Sequence, residues 1–332
     1  MQRRTLLKLG NAALATAALP VTLSQPGFAQ GAFPSRPLRL IVGFPAGGPA
    51  DVFARQYAQR LGTVLGQVVV VENKSGASGA IGALEVKGAP PDGYVLYFGT
   101  ATTHGLYNLM SAKPQYDAMK DFSHVAVVGG APGIFAVHPA LPATLKGVVE
   151  QARANPGKLQ YGSPGQGTYL HLMGERMKKE AGGIDIQHIP YRGGAQAVPA
   201  LIGGQVGMSV DTLSSLLQHH KSGKVRIVAI GTGSRSSLAP DVPTVDEAIG
   251  TRGFEALLWN VLTGPAGMPA NVMATLSAAS LKVMADAAFQ EQLAGMGIIA
   301  ITNSNPAAAV AYIRAETEKW RPAVEASGIK SE

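Results

Sequence analysis

Residues 38–51 run Leu38-Arg39-Leu40-Ile41-Val42-Gly43-Phe44-Pro45-Ala46-Gly47-Gly48-Pro49-Ala50-Asp51. A five-residue apolar run of strand length is followed by a turn rich in Gly and Pro. A helix from Asp51 to Leu65 follows, with Phe53, Tyr57, Leu61, Val64 and Leu65 on one face. Val68 to Val71 is the next strand, and the rhythm continues. Further apolar runs lie at Tyr94–Phe98, Val125–Val128, Ile134–Val137, Ile186–Ile189, Val206–Val210 and Val225–Ile230, with helical patterns between most of them. This alternation predicts βαβ units and an α/β fold with mainly parallel sheets. Helix ends are marked in the same way. Asn155-Pro156-Gly157 stops a helix that begins near Thr144, and Thr244-Val245-Asp246-Glu247 is a capping box. Asn305-Pro306 starts a helix expected to end before Pro322.

A chain of 332 residues exceeds one compact core, so two domains are expected. Between residues 126 and 139 two extended segments surround Gly129-Gly130 and Pro132-Gly133, and a further extended segment runs from Phe254 to Gly264. An outgoing and a returning crossing predict a two-segment hinge. Lobe I is then residues 30–130 and 233–332, and lobe II residues 131–232. Hydrophobic residues at 46% against 15% charged indicate ordinary globular cores rather than a disordered chain.

The first 29 residues read as a signal peptide: a basic start, an apolar stretch from Asn11 to Leu23, and small residues in Gly27-Phe28-Ala29, with cleavage expected after Ala29. Gln2-Arg3-Arg4-Thr5-Leu6-Leu7-Lys8 resembles the twin-arginine export consensus, with Gln2 and Leu6 departing from its usual residues; Sec export is the alternative. The apolar stretch falls short of the ~20 residues a membrane span needs. A periplasmic protein, soluble after cleavage, is expected. The formal charge is +7, and subtracting Arg3, Arg4 and Lys8 leaves +4 with no later basic run, which speaks against nucleic acid as a partner. Absence of cysteine removes disulfides, thiolate nucleophiles and Cys-based zinc sites.

Four Gly-rich turns follow strands: Phe44–Asp51, Ser75–Gly79, Tyr161–Thr168 and Pro190–Gly194. In an open α/β sheet such turns collect at the carboxyl edge, where ligands bind. A helix N-terminus there offers unpaired N–H groups and partial positive charge, so a carboxylate can be held without Arg or Lys. The candidate ligand contacts are Phe44, Ala46, Gly47, Gly48, Asp51, Ser78, Thr100, Ser163, Gly167, Thr168, Tyr191, Arg192, Gly193 and Asp211. Asp51 also reads as a first-turn residue stabilising the helix dipole. Thr168 stands where a phosphate loop would carry Lys, which disfavours nucleotide hydrolysis.

Catalytic readings have less support. Gly76-Ala77-Ser78-Gly79-Ala80 only approximates a nucleophile elbow. The seven histidines lack metal-ligand spacing, and His171, just after a Gly-rich turn, is the one closest to a candidate site. No catalytic residue, metal or cofactor is expected.

The chain resembles the Bug-type extracytoplasmic solute receptors of tripartite tricarboxylate transporters. The matching stretches include Pro34–Arg39, Gly47-Gly48 with Asp51, Val71-Glu72-Asn73-Lys74, Pro91-Asp92-Gly93-Tyr94, Tyr161–Gly165, Pro190-Tyr191-Arg192-Gly193, Gly203-Gly204-Gln205-Val206 and Asp241-Val242-Pro243-Thr244. The resemblance implies a two-lobed Venus-flytrap of the type II periplasmic binding protein fold. It also implies a small carboxylate held between the lobes by backbone donors and water-mediated contacts, and delivery to transporter membrane subunits. A monomer is expected. Pro49-Ala50, Thr168-Tyr169 and Ala195 depart from hydroxyl-bearing residues common in the family. They place Tyr169 near the cleft and point to a less polar acid. Competing outputs are a chemosensory receptor using the same cleft and, in another class, a hydrolase or lyase acting on a carboxylate.

Overall fold

A computed structural model describes residues 33–329; the signal-peptide and Arg3-Arg4 readings lie outside the described residues. β1 (Leu38–Val42), α1 (Pro49–Leu65), β2 (Val69–Asn73), α2 (Ala80–Lys87) and β3 (Val95–Thr100) follow one another as the rhythm predicts. A π-helical turn (Ala101–Leu106), α3 (Tyr107–Met110) and the long β4 (Phe122–Val137) come next. The chain then forms α4 (Leu145–Ala154), β5 (Gln160–Ser163), α5 (Tyr169–Glu180), β6 (Gln187–Pro190), α6 (Gly194–Ile202), β7 (Met208–Thr212), α7 (Leu213–Lys221) and β8 (Arg226–Ile230). It closes with α8 (Val245–Ile249), β9 (Leu257–Pro265), α9 (Ala270–Ala285), α10 (Ala287–Gly295), β10 (Ile299–Ala300) and α11 (Pro306–Ser327).

The strands form two α/β lobes that share β4. One sheet has the order β2-β1-β3-β9-β4 with β10 beside β4, and the other continues β4-β7-β5-β6 with β8 also on β4. Parallel pairing joins β1 to β2 and β3, and β5 to β6 and β7. Pairings of β9 with β3 and β4, and of β7, β8 and β10 with β4, are antiparallel. The sheets are therefore mixed where mainly parallel ones were expected. The βαβ units are parallel, and reversal enters where β4 and β9 cross, because a chain that leaves one lobe and returns runs in opposite directions.

The apolar face read for α1 places Phe53, Tyr57 and Leu61 in the first core, against Leu40, Phe98 and Leu276. Full burial of side chains this size contributes about 1.5–3 kcal/mol each. In the second lobe, Phe135 and Val137 pack with Leu145, Val148 and Met173 on one face, while Ile134 and Ala136 pack with Leu201 and Leu216 on the other. Helices thus cover both faces of this sheet, as its strands require.

Three backbone hydrogen bonds tie the crossings together at one level: Gly133 N to Ala256 O, Ala256 N to Gly231 O and Gly231 N to Gly133 O, each 2.8 Å. A Cβ on Gly133 would press on the Met173 sulfur, so a larger residue there requires that flexible side chain to move. The two extended segments expected between 126 and 139 are one continuous strand with register shifts at His124/Ala126 and Val127/Gly129.

The extent of the last helix is also revised. α11 does not stop before Pro322 but continues to Ser327, because Trp320 and Val324 on either side of the proline are anchored in the core, which offsets the lost helical hydrogen bond. Contacts also run between the segment after residue 233 and the second lobe. Val245 of α8 lies in the same core as Leu145 and Val148 of the second lobe, and α11 packs on β4 and on α5. Trp320 sits 4.6 Å from the ring of Tyr169, so the C-terminal helix rests on both sides of the crossing.

Candidate ligand site

Four strand-to-helix turns meet in a cavity between the lobes. The β1–α1 turn supplies Phe44, Pro45, Gly48, Pro49 and Ala50, and the end of β3 with its π-helical turn supplies Thr100 and Thr102. From the other lobe come Pro164, Thr168 and Leu170 at the start of α5, and Gly193, Gly194 and Ala195 at the start of α6; Leu258 of β9 closes the back. None of these lining side chains is charged. What they share is position, since four helical segments point their N-terminal ends, and so the positive ends of their dipoles, into one apolar space.

The four ends are not equivalent. Thr100 caps the π-helical turn by accepting from Thr103 N, and Thr168 caps α5 by accepting from His171 N at 3.2 Å. The hydroxyl of Thr168 is further engaged with Gly165 O at 2.8 Å. Gly48 and Gly193 cap α1 and α6 without any side-chain hydrogen bond. At these two ends no capping side chain occupies the first free N–H groups, which in α1 begin with Ala50 because Pro49 has none, and an anion can take the place a capping oxygen would have.

A second, more open chamber shares Phe44, Pro45, Pro164 and Gly193 with the first and is bounded by Ser75–Gly79, Gln166, Tyr191 and Arg192. Arg192 is exposed at its rim. The lobes are closed on one another. Ser78 Oγ donates across the cleft to Gln166 O at 2.6 Å, and Tyr169 N donates to Thr102 Oγ1 at 3.0 Å.

Of the residues singled out from sequence, Phe44, Gly48, Thr100, Thr168 and Gly193 line the inner cavity, and Ser78, Tyr191 and Arg192 the outer chamber. Ala46 and Gly47 are exposed on the outside of the turn instead. Asp51 does not line the cavity. It accepts from Gly47 N (2.9 Å), Arg55 Nε (3.1 Å) and Asn73 Nδ2 (2.9 Å), and so ties the turn to its own helix. Burial by itself would raise its pKa, but the hydrogen bonds from Arg55, Gly47 and Asn73 outweigh this and hold it below the usual carboxylate value. Its first-turn reading is the one the geometry supports. Tyr169, expected near the cleft, turns its ring away against Trp320.

Ser163 and Gly167 lie behind the β5–α5 turn in a brace of two stacked imidazoles. His171 and His188 have ring centroids 3.7 Å apart. His188 Nε2 meets Ser163 Oγ at 2.7 Å and its Nδ1 meets Gln166 Oε1 at 3.2 Å, while His171 Nδ1 accepts from Gly167 N at 3.2 Å. Burial, reinforced by its neighbour His171, lowers His188 to about 3; burial and Lys178 lower His171 to about 4. Both rings are neutral at ordinary pH and serve as fixed supports for the turn that carries Gln166.

Asp211, the penultimate residue of β7, has no exposed surface. Its Oδ1 accepts from Thr212 N at 2.7 Å, and its Oδ2 has no partner. Sequence reading missed Thr102, Leu170 and Leu258. Thr102 had a signal, since Gly99-Thr100-Ala101-Thr102 is a fifth strand-to-helix turn of the same kind. Nothing local marks Leu258, which reaches the cavity from the crossing strand.

The family model for the tripartite tricarboxylate transporter family receptor matches residues 53–329. Protein BugT of Bordetella pertussis is 32% identical over 302 residues, spanning 90% of this chain and 91% of BugT. The solved structure of periplasmic binding protein BugD superposes with a TM-score of 0.84 at 32% identity, covering 90% of this chain and all of that one. Rpa4515 of R. palustris, solved with adipate, superposes with a TM-score of 0.85 at 30% identity, covering 90% of this chain and 99% of the other.

Proposed function

Because the chain belongs to the tripartite tricarboxylate transporter receptor family, whose members are solute-binding receptors rather than enzymes, we propose that it captures a small carboxylate between its lobes in the periplasm and delivers it to transporter membrane subunits. The observation that carries this reading is the convergence of the Gly48-capped and Gly193-capped helix ends on one cavity that no charged side chain lines. A carboxylate there gains charge-assisted hydrogen bonds of roughly 1.5–3 kcal/mol each from backbone N–H groups. The adipate held by Rpa4515 supports an acid as ligand here.

The remaining contacts are assigned to match. Phe44, Thr100 and Thr168 border the ligand with the two glycines, Ser78 and Tyr191 line its approach, and Arg192 at the rim steers the anion inward. Pro49, Ala50, Ala195 and Leu258 in the lining favour an acid with an apolar body over a densely hydroxylated one. The mature receptor begins after Ala29 and acts as a monomer, with β4 and the segment before β9 as its two hinge strands.

The test is a thermal-shift and calorimetric screen of malate, adipate, hexanoate and benzoate against the mature protein, followed by uptake of the best acid in cells with and without the gene. Saturable one-to-one binding and gene-dependent uptake are expected. A protein that binds no carboxylate sinks the receptor reading, and binding without any effect on uptake sinks delivery alone.

A further inference from the structure

Asp211 is a buried ionisable group beside the cavity that the carboxylate site leaves unexplained. It has no exposed surface, and its Oδ2 has no hydrogen-bond partner. Gly194, in the first turn of α6 and part of the cavity lining, separates it from the ligand space. A Cβ built on Gly194 would lie 3.3 Å from Asp211 Oδ2 and 3.4 Å from Pro49 Cδ of the opposite lobe. Asp211 Oδ2 and Pro49 Cδ thus face the same space, the one left by the side chain that Gly194 lacks, so the buried acid lies directly beside the cavity lining.

The surroundings give an ionised Asp211 little compensation. Thr212 and Ser215 face it from the corner between β7 and α7, Gly194 from α6, and Ile134 is its register partner in β4. None of these carries a charge, and among the described residues no charged side chain contributes to its electrostatic surroundings. A carboxylate ligand held at the start of α6 places a second negative charge in the same water-free region. Two carboxylates in one buried site do not both remain ionised.

We infer that Asp211 is a positioning residue that takes up a proton when the cleft closes on an anionic ligand, so that binding of the acid and protonation of Asp211 are one event. This rests on the carboxylate reading of the cavity. Burial, opposed by the backbone hydrogen bond from Thr212 and by the nearby Ser215 and Thr212 hydroxyls, already raises the acid to about 6 in the closed form, and a neighbouring anion raises it further. The chemistry is a plain proton transfer from solvent to a carboxylate oxygen, with no bond of the ligand changed. Capture is then favoured at lower pH and release at higher pH.

The experiment is calorimetric titration of the mature protein with malate, adipate, hexanoate and benzoate at pH 7, in phosphate and in Tris. The ionisation enthalpies of these buffers differ, so the difference in apparent heat counts the protons taken up. Uptake approaching one proton per ligand is expected, with affinity falling roughly tenfold or more between pH 6 and 8. Asp211→Asn should abolish both effects and bind at pH 8 as the wild type does at pH 6. Since an acid whose pKa is raised on folding stabilises the native state only below that pKa, the Asn variant should also melt no lower than wild type at pH 8, which melting curves check. Binding with no proton uptake in the wild type, or uptake that persists in a folded Asp211→Asn protein, overturns the inference while leaving the receptor reading intact. Failure of every acid to bind overturns both.

Discussion

Gly193 holds φ at +101° with ψ at 165°, a conformation open to glycine and strained by roughly 1–3 kcal/mol for other residues. A methyl group there would lie 3.0 Å from Pro45 Cδ across the cleft. Gly193→Ala should therefore weaken acid binding at least tenfold while circular dichroism stays native. Arg192→Ala should cost less and act mostly on the association rate, in a salt-dependent way. Stopped-flow association at two ionic strengths with calorimetry on both variants checks this. If Arg192→Ala loses all binding and Gly193→Ala none, an ordinary ion pair holds the ligand. Gly48 has φ −77° and meets only Pro45 O at 3.3 Å, so its need for glycine is weaker than that of Gly193. Asp51 illustrates the opposite limit. A carboxylate beside a Gly-Gly turn is equally apt to touch a ligand or to lock the turn, and only its three partners distinguish the two.

The turn between β5 and α5 behaves as a braced element. Its Gln166 carbonyl receives the hydrogen bond from Ser78 of the opposite lobe, and the stacked His171 and His188 hold it from behind. A second buried pair, His104 and His124, has ring centroids 5.6 Å apart behind the π-helical turn that carries Thr102. Burial, with His124 nearby, pushes His104 well down, and burial takes His124 to about 4. A histidine whose pKa is depressed by folding contributes stability that is complete above its unfolded value of 6.5 and is lost as pH falls through the folded one. Stability should therefore decline between pH 6.5 and about 4, with a further loss toward 3 from His188. Urea denaturation across that range checks it, and His188→Gln should flatten the slope. A wild-type stability that is level from pH 7 to 4 would show that these rings do not govern the acid response.

At the scale of the whole molecule, α11 lies across β4 and α5, and the backbone bonds among Gly133, Gly231 and Ala256 mark the level where the chain passes between lobes. The direct polar links named across the cleft are Ser78 to Gln166 and Tyr169 to Thr102, each a hydrogen bond with a net worth of about 0.5–1.5 kcal/mol. A ligand bridging the same gap can outweigh the cost of closing it. Small-angle scattering should show a smaller radius of gyration with saturating acid than without, and Ser78→Ala should enlarge the ligand-free radius further. An unchanged radius in both proteins would count against opening as the route of capture.

The periodicity of β1 and α1, the capping box at Thr244, the Gly-rich turns and the paired extended segments were legible along the chain, because strand and helix periods, caps and glycine positions are local properties of neighbouring residues. From them followed the α/β class, the two lobes and most turns that meet at the cleft. Mixed strand direction, the continuation of α11 past Pro322, the seating of α8 on the second lobe and the arrival of Leu258 in the cavity were decided only in three dimensions. Each depends on residues far apart in sequence, as Trp320 on Tyr169 shows. The same holds for Asp211: its place near the end of a strand is written in the sequence, whereas its burial beside Gly194 of α6 and Ile134 of β4 depends on segments that share no local pattern.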